Sequence, residues 1–155
     1  MKKKTPASVN ALEEKQNEIW KNDGKPLLSV DLKFLKLTGS KSNIGIKRIN
    51  RYYQHMNRQI IRYCKNNLLP KTIKAYKQAL ADGEAFNEIK VHGVSRLTYN
   101  QNGVLSLYTD ITENSGYADI SIRVGDVWDL YTGYPIPLSA FFPKAKNYKK
   151  LIRGF

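Results

Sequence analysis

The 155-residue chain is expected to fold as α+β: an antiparallel β-sheet, made of an N-terminal strand plus a three-stranded meander, covered by a long amphipathic helix and a second, shorter one. Three observations predict this. Residues 43–67 repeat apolar side chains at the helical period, residues 86–131 alternate at period two, and the helical period gives way to the strand period beyond Gly83. The length suits one domain, large enough to bury a core without disulfide staples.

Residues 1–26 read as a lead-in, partly helical or flexible, and residues 27–155 as the domain itself. Asn10 followed by Glu13 resembles a capping box, so a short helix is expected from Ala11 to about Lys21, ended by Asn22-Asp23-Gly24. From Leu27 to Leu37 the chain alternates through Val30, Leu32 and Phe34 and, after a slip, Leu37, which suits a half-buried strand. The run Thr38 to Asn43 closes it as a turn.

The clearest helix follows. At 100° per residue, Ile46, Ile49, Tyr52, Tyr53, Met56, Ile60, Tyr63 and Cys64 share one arc, while Lys47, Arg48, Arg51, His55, Arg58, Arg62 and Lys65 share the opposite one. Asn43 is its expected N-cap, and Pro70 is expected to end it, because proline disfavours helical geometry at the residue before it. A second helix is expected from about Lys71 to Leu80, stopped by Asp82-Gly83. Three alternating runs then form the meander, Phe86 to Asn100, Val104 to Thr112 and Tyr117 to Tyr131, with a hairpin turn at Asn102-Gly103, where both residues accept positive φ.

Charge is unevenly placed. The formal net charge is +13, yet from Leu32 to Ala81 there is no acid at all, whereas Tyr99 to Phe142 holds five acids and one base, Arg123. The first span attracts polyanions. The tail from Pro143 onward adds Lys144, Lys146, Lys149, Lys150 and Arg153. The opening Met1-Lys2-Lys3-Lys4 imitates the start of a signal peptide, but the apolar run that must follow is replaced by Asn10, Glu13, Glu14 and Lys15, so no export signal is expected here. No stretch reaches the roughly 18 apolar residues of a membrane helix.

Catalytic constellations are sparse. Cys64 is the only cysteine, which excludes disulfides, cysteine zinc sites and redox pairs, and its place near a helix C-terminus on the apolar arc reads as a structural thiol. Neither His55 nor His92 has a partner at ligand spacing, so no metal or other cofactor is expected. Asp126 and Asp129, an odd number apart on a strand, project to opposite faces, which disfavours a carboxylate pair. One of them is expected to accept backbone N–H groups in a turn. No enzyme activity is expected. The basic helix face, Lys47, Arg48, Arg51, Arg58, Arg62 and Lys65, reads either as a solvated surface or as a nonspecific polyanion patch, since the helix aromatics fall on the arc expected to be buried.

One resemblance is carried by particular residues. Tyr99, Gly103, Val104, Leu105, Ser106 and Leu107, then Asp129, Leu130, Thr132, Gly133, Ile136, Leu138, Phe141 and Phe142, with Ile49 and Asn50 earlier, resemble the region shared by the ectodomain of the anti-sigma-V factor RsiV and the N-terminal part of PdaC-type peptidoglycan deacetylases. The likeness covers about Leu27 to Phe155. It implies that Asp129 to Phe142 is architecture: a strand end, a tight Thr132-Gly133 turn and a leucine- and phenylalanine-anchored segment leading into a helix. The family's histidine before its last strand has no counterpart in Ser115-Gly116-Tyr117-Ala118-Asp119, and the family domain continues into further strands.

The resemblance implies a noncatalytic cell-envelope recognition or sensor module that binds lysozyme or peptidoglycan and wall polymer. Lysozyme is basic, so it would have to meet the acidic region, Asp110, Glu113, Tyr117, Asp119 and Asp126, while anionic wall polymers suit the basic helix. The competing expectation is a cytoplasmic nucleic-acid-associated protein using the face from Lys47 to Lys77. The resemblance implies an extracytoplasmic site, the missing signal a cytoplasmic one.

Overall fold

In the computed structural model, which describes residues 9–39, 43–115, 118–142 and 148–153, five strands form one sheet in the order β1-β2-β3-β4-β5. These are β1 (Asn10–Asn22), β2 (Lys25–Thr38), β3 (Ile89–Gln101), β4 (Val104–Asn114) and β5 (Asp119–Asp129). All neighbours are antiparallel except β2 and β3, which are parallel. A parallel pair needs a long crossover, and here it contains α1 (Ile44–Tyr63) and α2 (Leu69–Asp82). The α+β class stands, with a sheet one strand wider than expected.

The additional strand corrects the expected helix at Ala11 to Lys21. That segment is β1, paired with β2 along its whole length from Asn10↔Thr38 to Asn22↔Lys25. Its Glu, Lys and Gln content favours a helix only weakly, and a ladder of backbone hydrogen bonds to an adjacent strand overrides such a preference. Asn22-Asp23-Gly24 is therefore a hairpin turn rather than a helix stop: Asp23 (φ 48°) and Gly24 (φ 80°) are both left-handed, as a two-residue turn of this twist requires. Asn102 and Gly103 repeat the arrangement between β3 and β4, as expected.

The core lies between one face of the sheet and α1. Leu28, Val30, Leu32 and Phe34 of β2, Val91 of β3, Leu105 and Leu107 of β4 and Trp128 of β5 meet Ile46, Ile49 and Tyr53 of α1, with Cys64 and Leu68 beyond its end. At Leu37 the alternation slips and the backbone is held by α1. Its N–H donates to Asn50 Oδ1 (2.8 Å) and its C=O accepts from Asn50 Nδ2 (2.9 Å), so one helical side chain satisfies the backbone beyond Lys33, where the β2–β3 ladder has ended. Asn43 caps α1 by accepting from the N–H of Ile46 (3.1 Å).

Pro70 does not end the helical run. After α1 the chain widens into one π-type turn, Cys64–Leu68, in which the N–H of Leu69 donates to the carbonyl of Cys64, and α2 follows directly with Pro70 in its first turn. Proline is tolerated there because its missing N–H has no partner in a first turn. Gly83 (φ 69°) closes α2. The last helix, α3, spans Tyr148–Arg153. The segment expected to be anchored by leucine and phenylalanine is a 3₁₀ turn, Leu138–Phe141, but both named side chains are exposed. Among the described residues no helix is long and apolar enough to cross a membrane.

Candidate binding surfaces

The sheet sets where each charged side chain points, because alternate residues face opposite sides. On β4 and β5 the helix-side set is Leu105, Leu107, Thr109, Ile111 and Glu113 opposite Trp128, Asp126, Val124, Ile122 and Ile120. Asp110 and Asp119 belong to the other face. The acidic candidates therefore divide, Glu113 and Asp126 on the helix side and Asp110 and Asp119 on the far side, and do not form one site. Tyr117 lies outside the described residues.

Two of these acids are already engaged. Asp110 takes a bidentate contact from Arg123 (2.7 and 2.8 Å), which holds its carboxyl below the usual carboxylate range, and Arg123 also lies 4.2 Å from the centre of the Tyr108 ring. Asp126 accepts from the Tyr53 hydroxyl (2.8 Å), which in turn accepts from Trp128 Nε1 (2.9 Å). Burial pushes the Tyr53 phenol far up, and Asp126 adds to the shift. Asp129 behaves as a turn acid: its Oδ1 accepts from the N–H of Tyr131 (2.8 Å) and of Thr132 (3.2 Å). Asp126 and Asp129 thus serve different structures on opposite faces.

That turn is locked onto α1. Gly133 has φ 69°, and a Cβ there would lie 2.6 Å from the carbonyl oxygen of Gly45, so helix and turn meet backbone to backbone. Arg48 seals the contact, its Nη1 donating to the Thr132 carbonyl (2.8 Å) while its guanidinium lies 4.7 Å from the Tyr134 ring centre. Arg48 is therefore partly structural. The remaining basic candidates, Lys47, Arg51, Arg58, Arg62 and Lys65, are exposed on the outer side of the helical run, and among the described residues none of them makes an ion pair with an acid. At about 1.5 Å per residue the row is roughly 27 Å long.

The expectation that the helix aromatics are buried is corrected in part. Tyr53 is buried, but Tyr52 and Tyr63, at the edge of the apolar arc, are 42% and 48% exposed. Tyr52 packs edge-on against Trp128 (5.0 Å between centroids) and leaves its other side to solvent beside the basic row. Cys64 is buried, and burial together with Glu113 pushes its thiol up to about 11. His55 meets Gln59 (3.1 Å) and His92 meets Asp31 (3.9 Å), both at the surface. No group of three potential metal ligands occurs among the described residues.

Two clefts escaped the sequence reading. A polar one of about 280 Å³ lies between β1 and α1, lined by Glu14, Lys15, Gln16, Gln54, Asn57 and Arg58. It was hidden because β1 read as a helix. Asn57 Oδ1 beside it is the one buried side-chain polar atom without a partner among the described residues. The other, about 420 Å³ and more apolar, sits between α2 and residues 84–89, where Leu68, Thr72, Ala79, Phe86 and Ile89 converge. Its lining comes from separate elements, so no local pattern signals it.

No family model matches the chain, and no curated protein matches it in sequence. Among solved structures it is similar to a member of the DUF3298 family from Bacteroides fragilis, with TM-score 0.62 and 14% identity over 87% of this chain and 61% of that one. It also matches a DUF3298 family protein from Pseudomonas aeruginosa, with TM-score 0.47 and 14% identity over 94% of this chain and 66% of that one. The chain thus spans less than two thirds of the length of either. The first likeness is one of fold and carries no ligand with it.

Proposed function

We propose that this protein is a noncatalytic recognition module that binds an anionic polymer of the cell envelope through the outer face of α1. The observation that carries the reading is the row Lys47, Arg51, Arg58, Arg62 and Lys65, exposed and without acid partners among the described residues. Such a row, on a chain of net charge +13, neutralises spaced phosphates or carboxylates without any base-reading geometry. Arg58 also lines the polar cleft between β1 and α1, whose amides Gln16, Gln54 and Asn57 suit the hydroxyls of a sugar or polyol. The envelope as location rests on the resemblance to RsiV- and PdaC-type domains. Lysozyme is the less favoured ligand of that family here, because the acids it would need are divided between two faces and two of them are engaged within the protein.

Nucleic acid is the second reading, favoured by Tyr52 and Tyr63, exposed beside the same row and able to stack on unpaired bases. The test is co-sedimentation with insoluble cell walls that retain their anionic polymers and with walls stripped of them, alongside binding to lysozyme and to duplex and single-stranded DNA. Each is measured at about 0.1 M and about 1 M salt, where the Debye length is about 10 and about 3 Å. Retention on intact but not stripped walls, weakened by salt, supports the proposal. Salt-resistant binding to lysozyme, or binding to DNA alone, overturns it.

A further inference from the structure

Among the described residues, most of the outer edge of β5 is unpaired. The N–H of Asp129 donates to the Tyr134 carbonyl (3.0 Å) and the N–H of Ile136 to the Val127 carbonyl (2.7 Å), on the side away from β4, while the N–H of Leu130 donates to Gly103 on the β4 side (2.8 Å). Odd-numbered residues of β5 therefore point their backbone groups outward. Those of Asp119, Ser121, Arg123 and Gly125 find no backbone partner among the described residues, since residues 134–136 cover only the end of the strand.

This edge lacks the usual guards. Free edges are protected by Lys, Pro or projecting charge, and β1 at the other side of the sheet carries Glu13, Lys15, Glu18 and Lys21. From Asp119 to Val127, β5 has neither Lys nor Pro. Its one cation, Arg123, is bound to Asp110. Its helix-side face presents Ile120 and Ile122, 57% and 56% exposed, and then Val124, also exposed.

We infer that this edge pairs with the same edge of a second copy, antiparallel about a two-fold axis at Ile122, to make one continuous sheet. Ile122 then faces the partner's Ile122, Ile120 faces the partner's Val124, and Ser121 and Arg123 exchange backbone hydrogen bonds with the partner's Arg123 and Ser121. With Asp119 opposite the partner's Gly125, the pairing supplies about eight backbone hydrogen bonds. A shift toward the C-terminus sets Arg123 against its own copy and calls on Val127, whose carbonyl is already taken by Ile136. A shift toward the N-terminus sets Val124 against the partner's Ala118, which lies before β5 begins. Charge selects a copy as occupant: on a chain of net charge +13, this segment holds only Asp119, Asp126 and the neutralised Arg123, so two copies meet where their repulsion is least. The two-fold stands perpendicular to the sheet, so both α1 faces look to the same side, a bivalent arrangement.

The test is the solution mass of the full chain by sedimentation equilibrium over a wide range of concentration, with oxidative cross-linking to fix the register. A reversible dimer of twice 17.8 kDa is expected. Ile122→Cys forms a covalent dimer under mild oxidation, because Cα atoms of a non-hydrogen-bonded pair lie about 4.5 Å apart, within disulfide reach; Val124→Cys, facing the partner's Ile120, does not. Ser121→Pro removes an outward N–H together with the exposed hydroxyl contact to Thr112 (3.3 Å), and Ile122→Lys places two cations face to face, so both are monomeric with unchanged circular dichroism. Monomeric mass throughout, equal cross-linking of both cysteine variants, or a dimer that survives Ser121→Pro and Ile122→Lys overturns the inference.

Discussion

The hydroxyl of Tyr53 sits between Trp128 and Asp126, accepting from the indole at 2.9 Å and donating to the carboxylate at 2.8 Å. One atom on α1 thereby ties the helix to the last strand of the sheet and satisfies an indole N–H that the core would otherwise strand. Tyr53→Phe keeps the ring and removes the link, leaving a buried indole N–H without an acceptor. A loss of about 1–3 kcal/mol is expected, measured as a lower urea midpoint with an unchanged m-value, together with a shift in Trp128 fluorescence.

The same phenol gives the fold an alkaline limit. Burial raises the Tyr53 pKa above its unfolded value of about 10, so the native state holds the neutral form while the unfolded chain ionises. The stability this contributes is fully present below about pH 10 and is lost progressively as pH rises beyond it. Thermal melts across this range should fall more steeply for the wild type than for Tyr53→Phe. Equal slopes would remove Tyr53 as the cause.

Cys64 is a packing residue with a thiol raised to about 11, chiefly by burial. Native protein at pH 8 should react with an aromatic disulfide reagent far more slowly than unfolded protein, with full reactivity restored in denaturant. Rapid reaction in the native state would mean that the segment Cys64–Leu68 opens readily.

Gly133 and Gly45 meet too closely for a side chain on either. Gly133→Ala adds a left-handed strain and a Cβ against the Gly45 carbonyl, and a cost of roughly 2–3 kcal/mol is expected. Gly24→Ala, also left-handed but with open space around it, should cost less. Equal costs would show that backbone strain alone, not the approach of α1, sets the penalty.

How much of this was legible depends on how local its cause is. The Asn43 cap, the opposed faces of α1 and the Asn102-Gly103 turn follow from short-range rules, and each is present. β1 was not legible: its pattern is polar enough for a helix, and only its pairing with β2 makes it a strand. Asp110 was singled out without its partner Arg123, because thirteen residues and a hairpin register separate them. The exposure of Tyr52 and Tyr63 was available in part, since both lie at one edge of the apolar arc, but how much of that edge the sheet covers is a long-range fact. The outward position of the basic row was legible, since it follows from the apolar arc on the other side, but the engagement of Arg48 with Thr132 and Tyr134 was not, because those partners come from a distant turn.

The most direct test of the recognition proposal is the affinity for polymer-bearing cell walls of Arg51→Glu/Arg58→Glu/Arg62→Glu, whose substitutions touch no core contact. The account predicts at least a tenfold loss, about 1.4 kcal/mol, with a shallower salt dependence and an unchanged melting temperature. Undiminished binding by this variant would contradict it and move the binding surface away from α1.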